Sequence, residues 1–339
     1  MIATVPGPTS ERSETPETLV EVEKLVVTYG AVRAVDGVDL TIGAGEVLGL
    51  AGESGCGKST IAGSLMQILR PPARIENGTI RFRGEDITHE SPEALRRFRW
   101  RNVSMVFQSA MNALNPVMRV GNQFVDMMRA HERISKHDAL ERAGDLLEIV
   151  GIDRRRANAY PHELSGGMRQ RVIIAMALAL QPELVIMDEP TTALDVVVQR
   201  EILQQVRDLQ AELGFAVLFI THDLSLLFEF ASRIAIMYAG EIVEQTSARE
   251  LHTRPLHPYT QGLLHSFPPL HGPIARMTGI PGSPPDLAAA PSGCRFHPRC
   301  PHCDPDNDGL YRLQTEVRPV LKEVAPGHLV ACHLVEAES

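Results

Sequence analysis

The 339-residue chain has no stretch near the roughly 20 apolar residues that cross a bilayer. Its longest apolar run, residues 172–180, has nine. The opening Met-Ile-Ala-Thr-Val-Pro lacks the basic stretch and apolar core of a signal peptide, so the chain is expected to stay in the cytoplasm. An excess of basic charge is also missing. Against 33 Lys and Arg stand 42 Asp and Glu, a net charge of -9, which argues against nucleic-acid binding through a basic surface. Cysteine is scarce. Of five, one is Cys56, and the others, Cys294, Cys300, Cys303 and Cys332, sit near the C-terminus. A reducing compartment disfavours a disulfide framework, so this group reads first as a metal site.

What the chain does have is a hydrophobic content of 44%, ample for a packed core, and a length that suggests about two domains. Residues 52–60 read Gly52-Glu53-Ser54-Gly55-Cys56-Gly57-Lys58-Ser59-Thr60, which fits the phosphate-binding pattern G-x-x-x-x-G-K-[ST]. The apolar residues before it predict a buried strand, and those after it a helix. Glycines let backbone N–H groups close around phosphate oxygens, and the helix start adds positive potential. Lys58 is then expected at the β- and γ-phosphates of a nucleotide and Ser59 at Mg²⁺.

Along the chain, residues 1–17 read as a disordered lead. Residues 19–29 predict a strand ending near Tyr29, an aromatic placed either to stack on adenine or to pack a strand end. Residues 32–42 predict two short strands with Asp36-Gly37 as their turn. Residues 78–82 predict a strand that resumes the sheet. From about 91 to 164 the patterning is mostly helical. Ser91-Pro92-Glu93 opens one helix, and Leu140, Ala143, Leu147 and Val150 line one face of another. Between them, residues 103–106 predict a strand with Gln108 just past its carboxyl end. Ligands bind there in open α/β sheets, within reach of Mg²⁺ or an attacking water.

Leu164-Ser165-Gly166-Gly167-Met168 precedes a helix and forms a second anion-binding start. One triphosphate does not need two such sites, so this one suits a face-to-face dimer. Residues 184–187 predict a buried strand ended by Asp188 and Glu189. Asp188 suits Mg²⁺, and Glu189 suits polarising a water against the γ-phosphate. Asp195 follows a short turn. Residues 216–221 predict another core strand, with His222 at its end to contact the γ-phosphate. Two more strands, 233–237 and 241–244, are expected to close the core.

In this order the motifs resemble those of the ATP-binding cassette ATPases, over about residues 19–250. The resemblance implies an α/β, RecA-like P-loop core with a helical subdomain. It also implies adenine stacking by Tyr29, a sensor role for Gln108, contact of Ser165 and Gly167 with a partner's γ-phosphate, and cross-dimer signalling by Asp195. The signature ends in Met168 where many members have Gln. Residues 107–116, 254–264 and 280–285 are similar to the sensor loop and C-terminal extension of oligopeptide-type importers. These serve dipeptides, oligopeptides, nickel or oligosaccharides. The implied assembly has a second, different ATPase subunit, two membrane permeases and an external solute-binding protein. The chain would lie on the cytoplasmic face of the membrane, with Met111, Leu114 and Val117 toward a permease. Soluble cassettes of translation or DNA repair usually carry two cassettes or a long coiled coil, and neither is seen here.

The expected division is therefore a lead at 1–17, a nucleotide-binding domain at 18–255 and a C-terminal extension at 256–339. Residues 265–310 are rich in Pro, Gly and His and poor in apolar residues, so the extension would gain from a metal staple. Cys294, Cys300, Cys303 and Cys332 offer four thiolates, which suit Zn²⁺ or an iron–sulfur cluster. His297, His302 and His333 are possible substitutes. Some members of the subfamily are implied to carry a [4Fe-4S] cluster in this extension, with a longer gap before the third cysteine.

Overall fold

The computed structural model describes residues 17–108, 113–190, 195–266 and 279–336. The predicted lead therefore lies outside the described residues except for Glu17, as do Met111 and the turn before Asp195.

The chain begins with β1 (Thr18–Tyr29) and β2 (Val32–Gly43), an antiparallel pair. The two short strands and Asp36-Gly37 turn expected for residues 32–42 are instead one strand. Leu25 faces Val38 and Val26 faces Asp36, so Gly37 is an extra residue on β2. It takes φ +74°, which makes a bulge that kinks the strand without reversing it. Next come β3 (Val47–Ala51), buried throughout, α1 (Lys58–Leu65), β4 (Ala73–Phe82) and the two-residue β5 (Glu85–Asp86). Residues 78–82 do not resume the sheet of β3. They belong to β4, which pairs with β1 in a separate sheet of order β2-β1-β4-β5. Both neighbours of β3 are already taken by later strands.

Those strands follow a helical stretch. After α2 (Pro92–Phe98), capped by Ser91, and β6 (Val103–Val106) come α3 (Val120–His131), α4 (Lys136–Ile149) and α5 (Gly166–Leu178). Ser135 caps α4, whose Ala139, Ala143 and Leu147 are buried with Leu140 packed beside them, as the spacing predicts. The chain continues through β7 (Leu184–Asp188), α6 (Val196–Leu213), β8 (Ala216–Thr221), α7 (Leu224–Phe230), β9 (Arg233–Tyr238) and β10 (Glu241–Ser247). In the main sheet β6, β7, β8, β3 and β9 run parallel, so their carboxyl ends open on one edge.

β10 does not close this sheet. Past α8 (Ala248–Thr253), α9 (Pro258–His265) and α10 (Asp308–Glu316), the strands β11 (Lys322–Ala325) and β12 (His328–Val330) return, and α11 (His333–Glu336) ends the described chain. β12 pairs with β10 through Glu244↔Val330, giving the order β11-β12-β10-β9-β3-β8-β7-β6. The C-terminal stretch shares the wall of the main core. Phe296 packs edge-on to Tyr238 at 5.2 Å and beside Tyr259 at 5.5 Å, and all three rings are buried. Arg295 and Arg318 each pair with both Asp36 and Glu241. Among the described residues, no helix is long and apolar enough to cross a membrane.

Candidate functional site

The loop from Gly52 to Gly57 joins β3 to α1 at the carboxyl edge of the sheet. Its glycines answer to specific neighbours. A Cβ on Gly52 would stand 2.1 Å from the Met237 carbonyl oxygen, and one on Gly57 would stand 2.3 Å from that of Ala34. Gly57 also takes φ +110°. Cys56 is buried, its carbonyl accepts the Gly240 N–H at 2.9 Å, and burial pushes its thiol up in pKa against the pull of Lys58. Gly55, at φ +81°, has open space where a Cβ would be. Lys58 is buried, and its Nζ donates to the Gly52 and Glu53 carbonyl oxygens at 2.7 and 2.9 Å. Thr60, one residue past Ser59, has its hydroxyl 3.5 Å from that of Tyr29, which is 39% exposed at the end of β1.

Two further elements converge on this loop. Asp188, the buried last residue of β7, lies near enough to the Ser59 side chain for that hydroxyl to favour its charged form. Burial raises the Asp188 carboxyl, while Ser59 and Lys58 lower it and Glu189 raises it. Hard oxygen donors placed together in this way suit Mg²⁺. Glu189 accepts from Gln108 Nε2 at 2.6 Å through one carboxylate oxygen, and the other lies 3.2 Å from His222 Nδ1. Gln108 follows β6 and His222 follows β8, so three strand ends meet on one carboxylate. Glu189 itself holds φ +45°, a left-handed conformation that costs a residue with a Cβ about 1–2 kcal/mol. Its N–H donates to the Ile220 carbonyl oxygen at 2.9 Å, which ties the strained residue to β8.

The remaining predicted residues are held by their own helices. Ser165 Oγ accepts the Met168 N–H at 3.2 Å at the start of α5, where Gly166 and Gly167 form the first turn. Asp195 caps α6 by accepting the Val197 and Val198 N–H groups. The two starts are adjacent, since a Cβ on Gly167 would meet Val198 Cγ1 at 2.8 Å. Of the apolar residues expected to face a permease, Leu114 is buried in the core and Val117 is 79% exposed.

Reading the sequence missed Glu53, whose carboxylate and N–H are both taken by the C-terminal stretch. Arg299 holds the carboxylate with two bonds, and Tyr259 Oη accepts the N–H. The only trace in the sequence is an arginine inside the cysteine run.

The cysteines form a looser group than their spacing suggests. Burial, with a smaller push from Cys332, raises Cys294 to about 12 and Cys300 to about 11. Cys294, Cys300 and Cys332 thus share one neighbourhood, with Cys303 beside Cys300. Among the described residues, however, no three His, Cys, Asp or Glu side chains are placed to hold a metal ion together. The expected four-thiol set is therefore not shown by the described residues. His297 Nδ1 donates to the Cys294 carbonyl oxygen, and His333 Nε2 to that of Val317.

Residues 35–192 match the family model described as ABC transporter, and residues 243–306 match that of the oligopeptide/dipeptide transporter C-terminal region. The chain is 46% identical over 304 residues to a probable peptide ABC transporter ATP-binding protein, y4tR, of Sinorhizobium fredii, with 88% of this chain and 89% of that one covered. It is 42% identical over 329 residues to the oligopeptide transport ATP-binding protein OppD of Bacillus subtilis, covering 95% and 90%. Among solved structures, the dimeric post-hydrolysis state of the ATP-binding cassette MJ0796, bound to ADP and Pi, superposes with a TM-score of 0.61. It is 28% identical and covers 68% of this chain and 99% of its own. The chain belongs to the oligopeptide/dipeptide ABC importer family as its ATP-binding subunit, an ATPase coupled to transport.

Proposed function

We propose that this subunit binds MgATP in the Gly52–Thr60 loop and hydrolyses it, when paired with a second cassette, to power import of peptides. The observation that carries the mechanism is the meeting of Gln108 and His222 on the strained Glu189, next to Lys58 and Asp188. Lys58 neutralises the β- and γ-phosphates, while Tyr29 supports the adenine. Ser59, Asp188 and Gln108 would hold Mg²⁺, which would supply charge neutralisation to the phosphates. Glu189 takes the proton of the attacking water, with His222 and Gln108 fixing its carboxylate. The α5 start, with Ser165, Gly166 and Gly167, contacts the γ-phosphate held by the partner, and Asp195 couples the two sites.

Peptide import is supported by the relatives' names and by the match over the C-terminal region. In this reading the chain sits on the cytoplasmic face of the membrane, in a heterodimer with a different ATPase chain. Two permeases and a solute-binding protein complete the assembly. Anaerobic tagged purification from detergent-solubilised membranes tests it. Two multi-span proteins and a second cassette should copurify, and the complex should hydrolyse ATP faster when its binding protein carries a peptide. Nickel or an oligosaccharide stimulating in place of peptide would move the substrate, and recovery of ribosomal or repair proteins with no membrane protein would end the transport reading.

A [4Fe-4S] cluster or Zn²⁺ on Cys294, Cys300, Cys303 and Cys332 is a separate proposal. It is supported by their clustering in sequence and by the mutual influence of three thiols. Against it stands the lack of three converged side chains among the described residues. Iron and zinc analysis of the same anaerobic sample decides, and absence of both metals rules it out.

A further inference from the structure

Arg299 is an arginine of the C-terminal stretch with only 7% of its surface exposed. Its two terminal nitrogens donate to the two carboxylate oxygens of Glu53 at 2.7 and 3.0 Å. Nε donates to the Pro281 carbonyl oxygen at 2.8 Å, and the guanidinium centre lies 5.8 Å from the Tyr238 ring. Burial works against the charge, but Glu53 and Tyr238 together hold the guanidinium above its usual range. A paired-fork contact of this kind is among the stronger and more directional ion pairs, unlike a mobile surface bridge.

Glu53 is the second residue of the nucleotide loop, and all three of its polar groups are engaged. The side chain goes to Arg299, the N–H to Tyr259 Oη at 2.9 Å, and the carbonyl oxygen to Lys58 Nζ at 2.9 Å. Two of these three partners come from beyond residue 255. Further along the loop the C-terminal stretch stands off. Pro284, Pro285 and Leu287 face Ser54, Gly55 and Cys56 across a cavity of about 290 Å³, so the grip falls on Glu53. Ordering a loop residue costs about 1–2 kcal/mol of backbone entropy. A loop already held by an outside strut does not incur that cost when ligand arrives.

We propose that Arg299, aided by Tyr259, is a positioning residue for nucleotide binding, through which the C-terminal extension holds Glu53 and sets the loop's affinity for MgATP. The proposal rests on the nucleotide reading of this loop and is independent of the peptide and metal readings. Arg299 does not touch the nucleotide, so its effect should appear in binding and not in the chemical step.

The test compares unaltered protein with Arg299→Gln, Glu53→Gln, Arg299→Lys and the Glu53→Gln/Arg299→Gln pair. MgATP affinity is measured on the full chain, KM and kcat on the copurified complex, and thermal midpoint on both. Arg299→Gln and Glu53→Gln should each raise Kd and KM about tenfold, with kcat within about twofold. The pair should be no weaker than either single variant, since both remove one contact. Arg299→Lys keeps the charge and loses the fork, and should fall between. If Arg299→Gln does not fold, Glu53→Gln carries the test, its side chain being 25% exposed. Unchanged affinity in folded single variants, additive losses in the pair, or a lowered thermal midpoint alone would overturn the proposal. A Lys58→Ala variant that binds MgATP as well as unaltered protein would overturn the nucleotide reading beneath it.

Discussion

Gln108 Nε2 donates to Glu189 Oε2 at 2.6 Å, joining the end of β6 to the residue after β7. The contact sets the carboxylate's direction, and His222 Nδ1 approaches its other oxygen at 3.2 Å. In the proposed mechanism, a carboxylate held from two sides at φ +45° receives its proton at one place. Glu189→Gln keeps the size and the Gln108 neighbourhood but cannot accept that proton. It should lower kcat by about 10²–10⁴-fold with Kd for MgATP within about threefold. Gln108→Ala leaves the carboxylate charged and held by His222 alone and should lower kcat by about 10–10²-fold, the size of one hydrogen bond to a charged group. Steady-state hydrolysis with equilibrium nucleotide titration checks both. Hydrolysis by Glu189→Gln near the unaltered rate would remove it from the base role.

The loop glycines should differ sharply among themselves. A methyl group at Gly57 runs into the Ala34 carbonyl oxygen at 2.3 Å, where backbone of β2 must move. At Gly55 it meets open space and only the positive φ opposes it, at about 1–2 kcal/mol. Gly57→Ala should therefore abolish MgATP binding and lower the thermal midpoint, while Gly55→Ala should retain binding with a smaller loss of stability. Equal effects of the two substitutions would contradict the steric account.

These residues were legible in advance because their chemistry is local. Gly52 to Thr60 are consecutive, Asp188 ends an apolar strand, and Glu189, Gln108 and His222 each follow one. What was not legible depends on distant partners. Asp36-Gly37 has turn composition, but β1 on one side and a hydrogen bond from Asp36 N–H to the Gly240 carbonyl oxygen on the other hold it as a bulge. Residues 78–82 have strand composition in either sheet, and the occupied flanks of β3 decide which. Glu53 and Arg299 have no spacing to connect them. The cysteine run reads as a metal staple for a lobe without a core, yet Phe296 within it is buried against Tyr238 and Tyr259. Local composition could not show that the lobe leans on the main core.

His257 gives the extension a dependence on pH. It is fully enclosed, its Nδ1 accepts the Tyr259 N–H at 3.0 Å at the start of α9, and burial lowers its pKa to about 4, with Glu244 pulling weakly the other way. The neutral ring is the native form. Between about pH 6.5 and 4 the unfolded chain binds a proton that the native chain refuses. The contribution is therefore complete above about 6.5 and is lost as pH falls toward 4, a swing of about 3 kcal/mol. His257→Asn keeps a capping acceptor without the titration. Urea midpoints at about pH 7.5 and about pH 5 should differ less in His257→Asn than in unaltered protein. An equal difference would show that other groups carry the acid sensitivity.

The returning strand β12 should matter to stability through one buried pair. Glu244 on β10 has no exposed surface, and its Oε1 lies 2.8 Å from His328 Nε2. The Leu256 and His257 N–H groups donate to the same carboxylate at 2.8 and 3.0 Å. Burial alone would raise this carboxyl, but the His328 bond, the Thr260 hydroxyl and the two backbone donors hold it below its ordinary value. His328→Ala removes one side-chain donor and leaves a buried carboxylate short of a hydrogen bond, which costs about 1–3 kcal/mol. His328→Gln returns a neutral donor to the same region and should recover much of that loss. Because β12 is joined to the sheet through β10, the His328→Ala chain should also lose protection of the Ala331 amide, which donates to the Val243 carbonyl oxygen at 2.9 Å, in hydrogen exchange before β3 or β8 is affected. A urea midpoint for His328→Ala within error of the unaltered chain would mean that the two backbone donors and Thr260 satisfy Glu244 without His328.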